Sequence, residues 1–362
     1  MSARRSSGHP QADTAVLIIA GGRGTRFWPL SRGNRPKPLF SLDGKTSLLS
    51  ETVARARTLT DRERVFVLIA SGQERAFRPA LRGLIPARNV LVEPSARGTA
   101  VAIAYGAALI KRRLGEAAIA VTPADHLIAP AAAFERTLKS AIALARERDA
   151  LVIVGVVPTR VEPGFGHIEI GRKAGAGFEV SRFVEKPPPP IAAKMVQSGQ
   201  FLWNAGMFVV GTRTLEQEMR EHCPALAAAI AKIAATPARS APAYRRLHFD
   251  AFDREIVEKS RRVLGVRAKF RWHDVGSWEG LWEAMRSGKG AQRGNVLSGN
   301  VIALGSDGVF AHAHGRLMVL MGVDDLVAVD SGDAILIARR SRSQELRMVI
   351  DELKRRGLER YL

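Results

Sequence analysis

Three glycines, Gly21, Gly22 and Gly24, stand directly behind a short apolar run, Val16 to Ala20, and enclose Arg23; Thr25 and Arg26 follow. A turn this rich in glycine lets backbone approach a ligand closely, and its peptide N–H groups can cradle phosphate oxygens with no side chain in the way. Arg23, Arg26 and, eleven residues beyond Arg26, Lys37 supply positive charge. These residues suit the binding of a polyphosphate. Spacing excludes two other phosphate loops. Counted from Gly22, the third glycine of a dinucleotide fingerprint is Phe27, and Trp28-Pro29 follows where a helix should start. Gly44-Lys45-Thr46 imitates the end of a Walker loop, but the glycine required five residues earlier is Leu39.

Two further residues join the loop on their own merits. Lys37 lies between Pro36 and Pro38, which restrict the backbone on both sides and hold the lysine ready for a phosphate; a solvated surface lysine is the alternative. Asp125 follows the apolar run Ile119–Thr122. A strand-end aspartate beside a phosphate loop is well placed to hold Mg²⁺ or another divalent cation, which takes oxygen ligands and bridges phosphates, a turn cap being its other role. His126 and His273 adjoin aspartates without metal-ligand spacing, and His312 and His314 share a strand face by their spacing of two with no third ligand.

The segment from Ala15 to Phe40, with Phe27-Trp28-Pro29-Leu30-Ser31, resembles the signature of the sugar nucleotidyltransferases in the version of the mannose-1-phosphate guanylyltransferases. Similar pieces recur in order: EPSARGTAVAIA from Glu93, VTPADHLI from Val121, GFGHIEIG from Gly164, FVEKP from Phe183, WNAGMFVV from Trp203, FDREIVEK from Phe252 and WHDVGSW from Trp272. The resemblance implies transfer of GMP from GTP to α-D-mannose 1-phosphate with release of pyrophosphate, and a site to match. Gly21, Gly22, Arg23, Gly24, Thr25, Glu93 and Arg97 then bind the nucleotide. Arg26 and Lys37 stabilise the departing pyrophosphate, and Lys186 meets the sugar phosphate. Glu185, Asn204 and the backbone of Gly166 form the sugar pocket, and Asp274 joins Asp125 as a metal ligand. Glu93 can accept the two donors on the guanine edge with one carboxylate, or it can orient the loop around Arg97. Gly98 and Ala205 depart from the family pattern by small changes. The reaction needs no general base, because the attacking phosphate oxygen is already ionised, so positioning and charge neutralisation carry it. The same transfer with another hexose or heptose 1-phosphate or another nucleoside triphosphate stays open. A non-catalytic regulatory subunit of the same fold would be expected to have lost one of Arg26, Lys37, Asp125, Lys186 or Asp274.

The elements that must position these residues alternate. Val16–Ala20, Val65–Ala70, Val90–Val92, Ile119–Thr122 and Leu151–Val157 read as strands; Ser47–Leu59, Thr99–Leu114, Ala132–Arg148 and Ile191–Ser198 read as helices. Such alternation predicts an α/β, Rossmann-like, mixed but mostly parallel sheet with its ligand at the carboxyl ends of the strands. After Gly290, short apolar segments separated by Gly, Asp, Asn and Ser predict a small solenoid-like β unit capped by a helix, Gln344 to Arg356. The expected organisation is a disordered tail to residue 14, a nucleotidyltransferase domain over 15–290 and the β unit over 291–362. It resembles the short, monofunctional form of the family.

The net charge of +20 is spread over patches such as Lys111-Arg112-Arg113 and Lys354-Arg355-Arg356, without the clustered and aromatic-interleaved face of a nucleic-acid binder. The same field favours an anionic substrate. With no apolar run of membrane-spanning length, no signal core in the first residues and a single cysteine, Cys223, the expectation is a cytoplasmic enzyme of small anionic substrates, acting without nucleic acid or membrane, with a homodimer left open.

Overall fold

The computed structural model describes residues 13–22, 24–33, 35–41, 46–286 and 293–362; residues 1–12 of the expected tail, Arg23, Gly44, Lys45 and the compositional shift at Gly290 lie outside the described residues. Thr14, expected to end that tail, is instead buried as the first residue of the sheet, paired with Ala118. Strands β1 (Thr14–Ile19), β2 (Val65–Ala70), β3 (Val90–Glu93) and β4 (Ala118–Pro123) come first, with β5 (Leu127–Ala129) apart from them. β6 (Leu151–Val156), β7 (His167–Ala174), β8 (Gly177–Val184), β9 (Phe201–Gly211) and β10 (Val263–Arg267) complete a nine-stranded sheet in the order β3-β2-β1-β4-β9-β6-β10-β8-β7. β9 and β8 run against the other strands. β11 (Arg271–His273) pairs with β5 outside it.

Helices α1 (Leu48–Ala56), α2 (Glu74–Leu81), α3 (Thr99–Leu114), α4 (Ala131–Arg148) and α5 (Pro189–Ser198) alternate with the strands along the chain. α6 (Thr212–His222), α7 (Pro224–Ala235), α8 (Ala241–Arg245) and α9 (Trp278–Met285) follow. The continuous apolar strands are buried on both faces, as a sheet with covered sides requires. α3 lies close over β1 through small residues: a Cβ on Gly106 would come within 2.6 Å of the Leu17 side chain. Ser47 caps α1 by accepting from the Ser50 N–H at 3.1 Å. That helix stops at Ala56, short of the expected Leu59, because Thr58 and Leu59 bond three residues back and tighten the last turn.

Strands β12 (Val296–Ser298), β13 (Val301–Leu304), β14 (Phe310–His312), β15 (Met318–Met321), β16 (Leu326–Asp330) and β17 (Ile335–Arg339) form the C-terminal β unit. β12, β14 and β16 stack in parallel, β13 and β15 likewise, and β17 returns antiparallel to β16. Parallel pairing of every second strand is the signature of a coil. Val309, Ala311 and Ala328 fill its interior. The final helix, α10, spans Leu346–Arg355; Gln344 and Glu345, the first residues of the expected helix, instead belong to the 3-10 turns of Arg340–Glu345. The unit does not hang free. Phe310, Val327, Val329, Leu336, Leu346 and Ile350 share one core cluster with Phe27, Trp28, Trp278 and Trp282.

Candidate active site

A cavity of about 630 Å³ opens where β1, β4 and β8 end and over the first half of β9, and Arg26, Gly166, Glu185, Lys186, Asn204 and Asp274 all line it. Residues far apart in sequence therefore meet at the carboxyl edge of the sheet, where strand order crosses over.

The glycine turn leaves β1 and passes at once into the 3-10 turn Thr25–Phe27, on which Arg26 stands exposed. Gly24 has φ +59°, and a Cβ there would lie 2.6 Å from both the Lys37 Cβ and the Ser31 Oγ, so only glycine fits this crossing. Lys37 is 7% exposed. Its Nζ lies 2.6 Å from the Asp125 Oδ2 and donates to the Asp274 carbonyl at 3.1 Å. The same ammonium sits 5.3 Å from the Phe27 ring centre. One cation thus ties together the loop, the end of β4 and the segment after β11. Asp125 and Lys37 stand behind the cavity lining, with Asp274 at its surface.

Asp274 is held by strain as well as by contact. Val275, fully buried, adopts φ +49°, a left-handed conformation that a β-branched residue takes only when its surroundings impose it. Trp272 and Trp278 flank the aspartate: Trp272 donates to the His126 Nδ1 at 3.0 Å, and Trp278 donates to the Trp28 carbonyl at 3.3 Å. Burial lowers His126 to about 4, so it is a neutral acceptor whose Nδ1 is already used. Among the described residues no group of three or more His, Cys, Asp or Glu side chains is arranged to hold a metal.

At the far end of the cavity Lys186 has φ +49° and its ammonium lies 3.1 Å from the Glu185 Oε1. A Cβ on Gly166 would come within 2.7 Å of the Glu185 Oε2, so backbone and carboxylate share this wall closely. The Asn204 Oδ1 accepts from the Gly206 N–H at 3.0 Å, which fixes the amide and turns its Nδ2 toward the Asp253 Oδ1 at 2.6 Å. Asp253 lines the cavity, and burial, aided by the Glu185 charge, pushes it up to about 7. The FDREIVEK motif contains Asp253, to which the sequence alone assigned no role; a carboxylate inside a recurring motif was the available signal. Arg160, another unassigned residue of the wall, pairs with Glu162 at 3.3 Å and Glu283 at 3.2 Å.

Two nucleotide-binding expectations meet a different geometry. Glu93 is 3% exposed and is not part of the cavity lining. Its Oε2 accepts from the Tyr244 hydroxyl at 2.7 Å, and its Oε1 would be 2.6 Å from a Cβ on Gly21. The carboxylate therefore lies against the glycine turn from inside, leaving no room for a side chain at residue 21, and burial raises it to about 7. Arg97 bonds the Ser95 Oγ at 3.2 Å and lines a separate shallow pocket with His248 and Phe249. His312 accepts or donates at Ser298 Oγ, 3.1 Å away, on β14, while His314 lies beyond the end of that strand.

Residues 15–289 match the model of the family described as "Nucleotidyl transferase", and residues 299–353 match a "MannoseP isomerase/GMP-like beta-helix domain". The chain is 35% identical over 358 residues to a xanthan biosynthesis protein, XanB, of Xanthomonas campestris, covering 96% of this chain and 74% of that one. It is 34% identical to a mannose-1-phosphate guanylyltransferase of Escherichia coli, with 96% and 75% covered. A crystal structure of "mannose-1-phosphate geranyltransferase" from Thermus thermophilus superposes with a TM-score of 0.87 at 32% identity, over 94% of this chain and 99% of that one.

Proposed function

The chain belongs to the nucleotidyl transferase family, and from that premise we propose that it transfers GMP from GTP to α-D-mannose 1-phosphate, giving GDP-mannose and pyrophosphate. Relatives that carry the name mannose-1-phosphate guanylyltransferase support this choice of substrates. The observation that carries it is the buried Lys37 ammonium between Asp125 and Asp274, at the edge of a cavity whose opposite wall presents Glu185, Lys186, Asn204 and Asp253.

The phosphate oxygen of the sugar 1-phosphate attacks the α-phosphorus of GTP, and the bond to the pyrophosphate oxygen breaks in line with it. Both the nucleophile and the leaving group are ionised, so no proton has to move. Gly21, Gly22 and Gly24 cradle the triphosphate through backbone N–H groups, and Arg26 with Lys37 offsets the charge that builds on the departing pyrophosphate. Lys186 anchors the sugar phosphate. Glu185 and Asn204 accept and donate at sugar hydroxyls, and Asp253 holds the Asn204 amide in one orientation. Glu93 fixes the turn through Gly21.

The donor chemistry at Asp125 and Asp274 fits a divalent cation. Both residues lie within reach of one ammonium, the adjacent His126 nitrogen is occupied, and the available donors are hard oxygens that suit Mg²⁺, with phosphates and water supplying further ligands. Bound there, the cation would neutralise charge on the α-phosphate.

The test is pyrophosphate release from a matrix of five nucleoside triphosphates and several sugar 1-phosphates. GTP with mannose 1-phosphate should give the highest kcat/KM. A higher value for another pair would reassign the substrates, and no release from any pair would overturn the reading.

A further inference from the structure

The motif that follows Arg26, Phe27-Trp28-Pro29-Leu30-Ser31-Arg32, contributes nothing to the cavity wall. Two of its side chains, Trp28 and Arg32, reach the C-terminal unit instead. The Trp28 Nε1 donates to the Tyr361 carbonyl at 2.9 Å. Phe27 packs edge-on against Trp278 at 4.8 Å between ring centres, and Trp278 in turn meets Phe310 of β14 at 5.0 Å. Arg32, 7% exposed, directs its guanidinium to three side-chain oxygens that lie 299 and 301 residues further along the chain. Its Nη1 and Nη2 donate to the two carboxylate oxygens of Asp333 at 2.6 and 2.8 Å, and Nη2 also donates to the Ser331 Oγ at 2.8 Å. The Nε donates to Pro29 O at 2.8 Å, which closes the loop upon itself. Two parallel N–H bonds from one planar fork define position and angle together, as a single point charge does not.

Arg32 stands between Arg26 and Lys37 in the chain, so it fixes the midpoint of the segment that carries both cations. The other side of the site leans on the same unit. Glu279, at the start of α9, donates its backbone N–H to the Ser343 Oγ at 3.1 Å, and the Arg340 guanidinium stacks 3.3 Å from the Trp282 ring centre. Asp274 lies just before that helix, and the bond from Lys37 to its carbonyl closes the circuit.

We propose that the C-terminal β unit is a positioning element of the transfer reaction, in which the Arg32–Asp333 fork, with Ser331, holds the loop of Arg26 and Lys37 in register with Asp274. The inference rests on the function proposed above. Arg32 and Asp333 touch no substrate; they are positioning residues, and their loss changes the rate of the chemical step while the sugar pocket, on the opposite wall, keeps its affinity.

The experiment compares wild type, Asp333→Asn and Asp333→Glu, each assayed for GMP transfer with full saturation curves and for thermal unfolding. Asp333→Asn keeps the size of the side chain and removes its charge and one acceptor oxygen. Its kcat should fall between about tenfold and 100-fold, the scale on which misplacing a reacting group by 1 Å slows a reaction, with KM for mannose 1-phosphate within about twofold. Asp333→Glu, which retains the carboxylate, should recover part of kcat. Wild-type kcat in Asp333→Asn, or equal losses in the Asn and Glu variants, overturns the positioning role while leaving the proposed reaction standing. An inactive wild type overturns both. If Asp333→Asn fails to fold, Ser331→Ala removes one bond to the same guanidinium and should lower kcat by a smaller factor with KM unchanged; an unchanged kcat there has the same overturning force.

Discussion

Replacing Lys37 by alanine removes one buried positive charge and keeps the Cβ that packs against Gly24, so the loop crossing survives. Two effects follow. Deleting a single charge contact that strengthens in the transition state costs about 2.7–4 kcal/mol, or roughly 10²–10³ in kcat. The second effect has the opposite sign. The Lys37 ammonium lies 2.6 Å from the Asp125 carboxylate, a group a divalent cation needs, so the lysine competes with the cation for it. The Asp125 side chain is 27% exposed, and solvent screens the pair to about 1 kcal/mol, far below the low-dielectric limit. That is about fivefold in an equilibrium constant. Residual turnover of Lys37→Ala should therefore reach half its maximum at about one fifth of the wild-type Mg²⁺ concentration, with KM for the sugar 1-phosphate changed by less than about threefold. The assay is pyrophosphate release titrated with MgCl₂ at saturating GTP. An unchanged kcat would remove Lys37 from the phosphate site, and a higher Mg²⁺ requirement would show that Asp125 is not the shared group.

Lys186→Ala should show the reverse pattern, KM for mannose 1-phosphate rising about tenfold or more with kcat within about threefold; its side chain is 55% exposed, so unfolding temperature should not move. Excess chelator should abolish turnover and added Mg²⁺ restore it, and Asp274→Ala should lower kcat without lowering the melting temperature by more than a few degrees; full activity in chelator refutes the carboxylate pair as a cation site. Glu93 provides a test in stability. Burial raises it to about 7, so between its unfolded value near 4.3 and 7 the folded chain holds a proton that the unfolded chain has released, and its contribution to stability is lost as pH rises through that window. Glu93→Gln keeps an acceptor for Tyr244 and should melt higher relative to wild type at pH 8 than at pH 5; the same difference at both values refutes the cost of the buried charge.

The turn itself was legible because it is local. Glycines, cations and the strand before them lie within one short stretch, and φ +59° at Gly24 is a demand that one residue type meets. Val65–Ala70 and Thr99–Leu114 were likewise readable to the residue: the first is a short continuous apolar run of strand length, the second a long, Ala-rich apolar run of helix length. The reversal of β9 between β4 and β6 was not, because an apolar strand reads the same in either direction and its hydrogen-bond partners decide the sense.

The sequence by itself determined which charged side chains follow the glycine turn and where several strands and helices of the first half form, through short-range propensity and pattern. Only the tertiary structure decided which way those side chains face. Glu93 stands at a strand end like Asp125, yet α8 places Tyr244 over it and turns it inward beneath Gly21. Asp253 becomes a cavity carboxylate because its five-residue π-turn delivers it to Asn204, forty-nine residues away. Arg32 finds Asp333 across 301 residues of chain. Contacts of that span carry no local periodicity. They come from sheet order and from the way the C-terminal coil is packed on the loop, and both are settled only when the whole core closes.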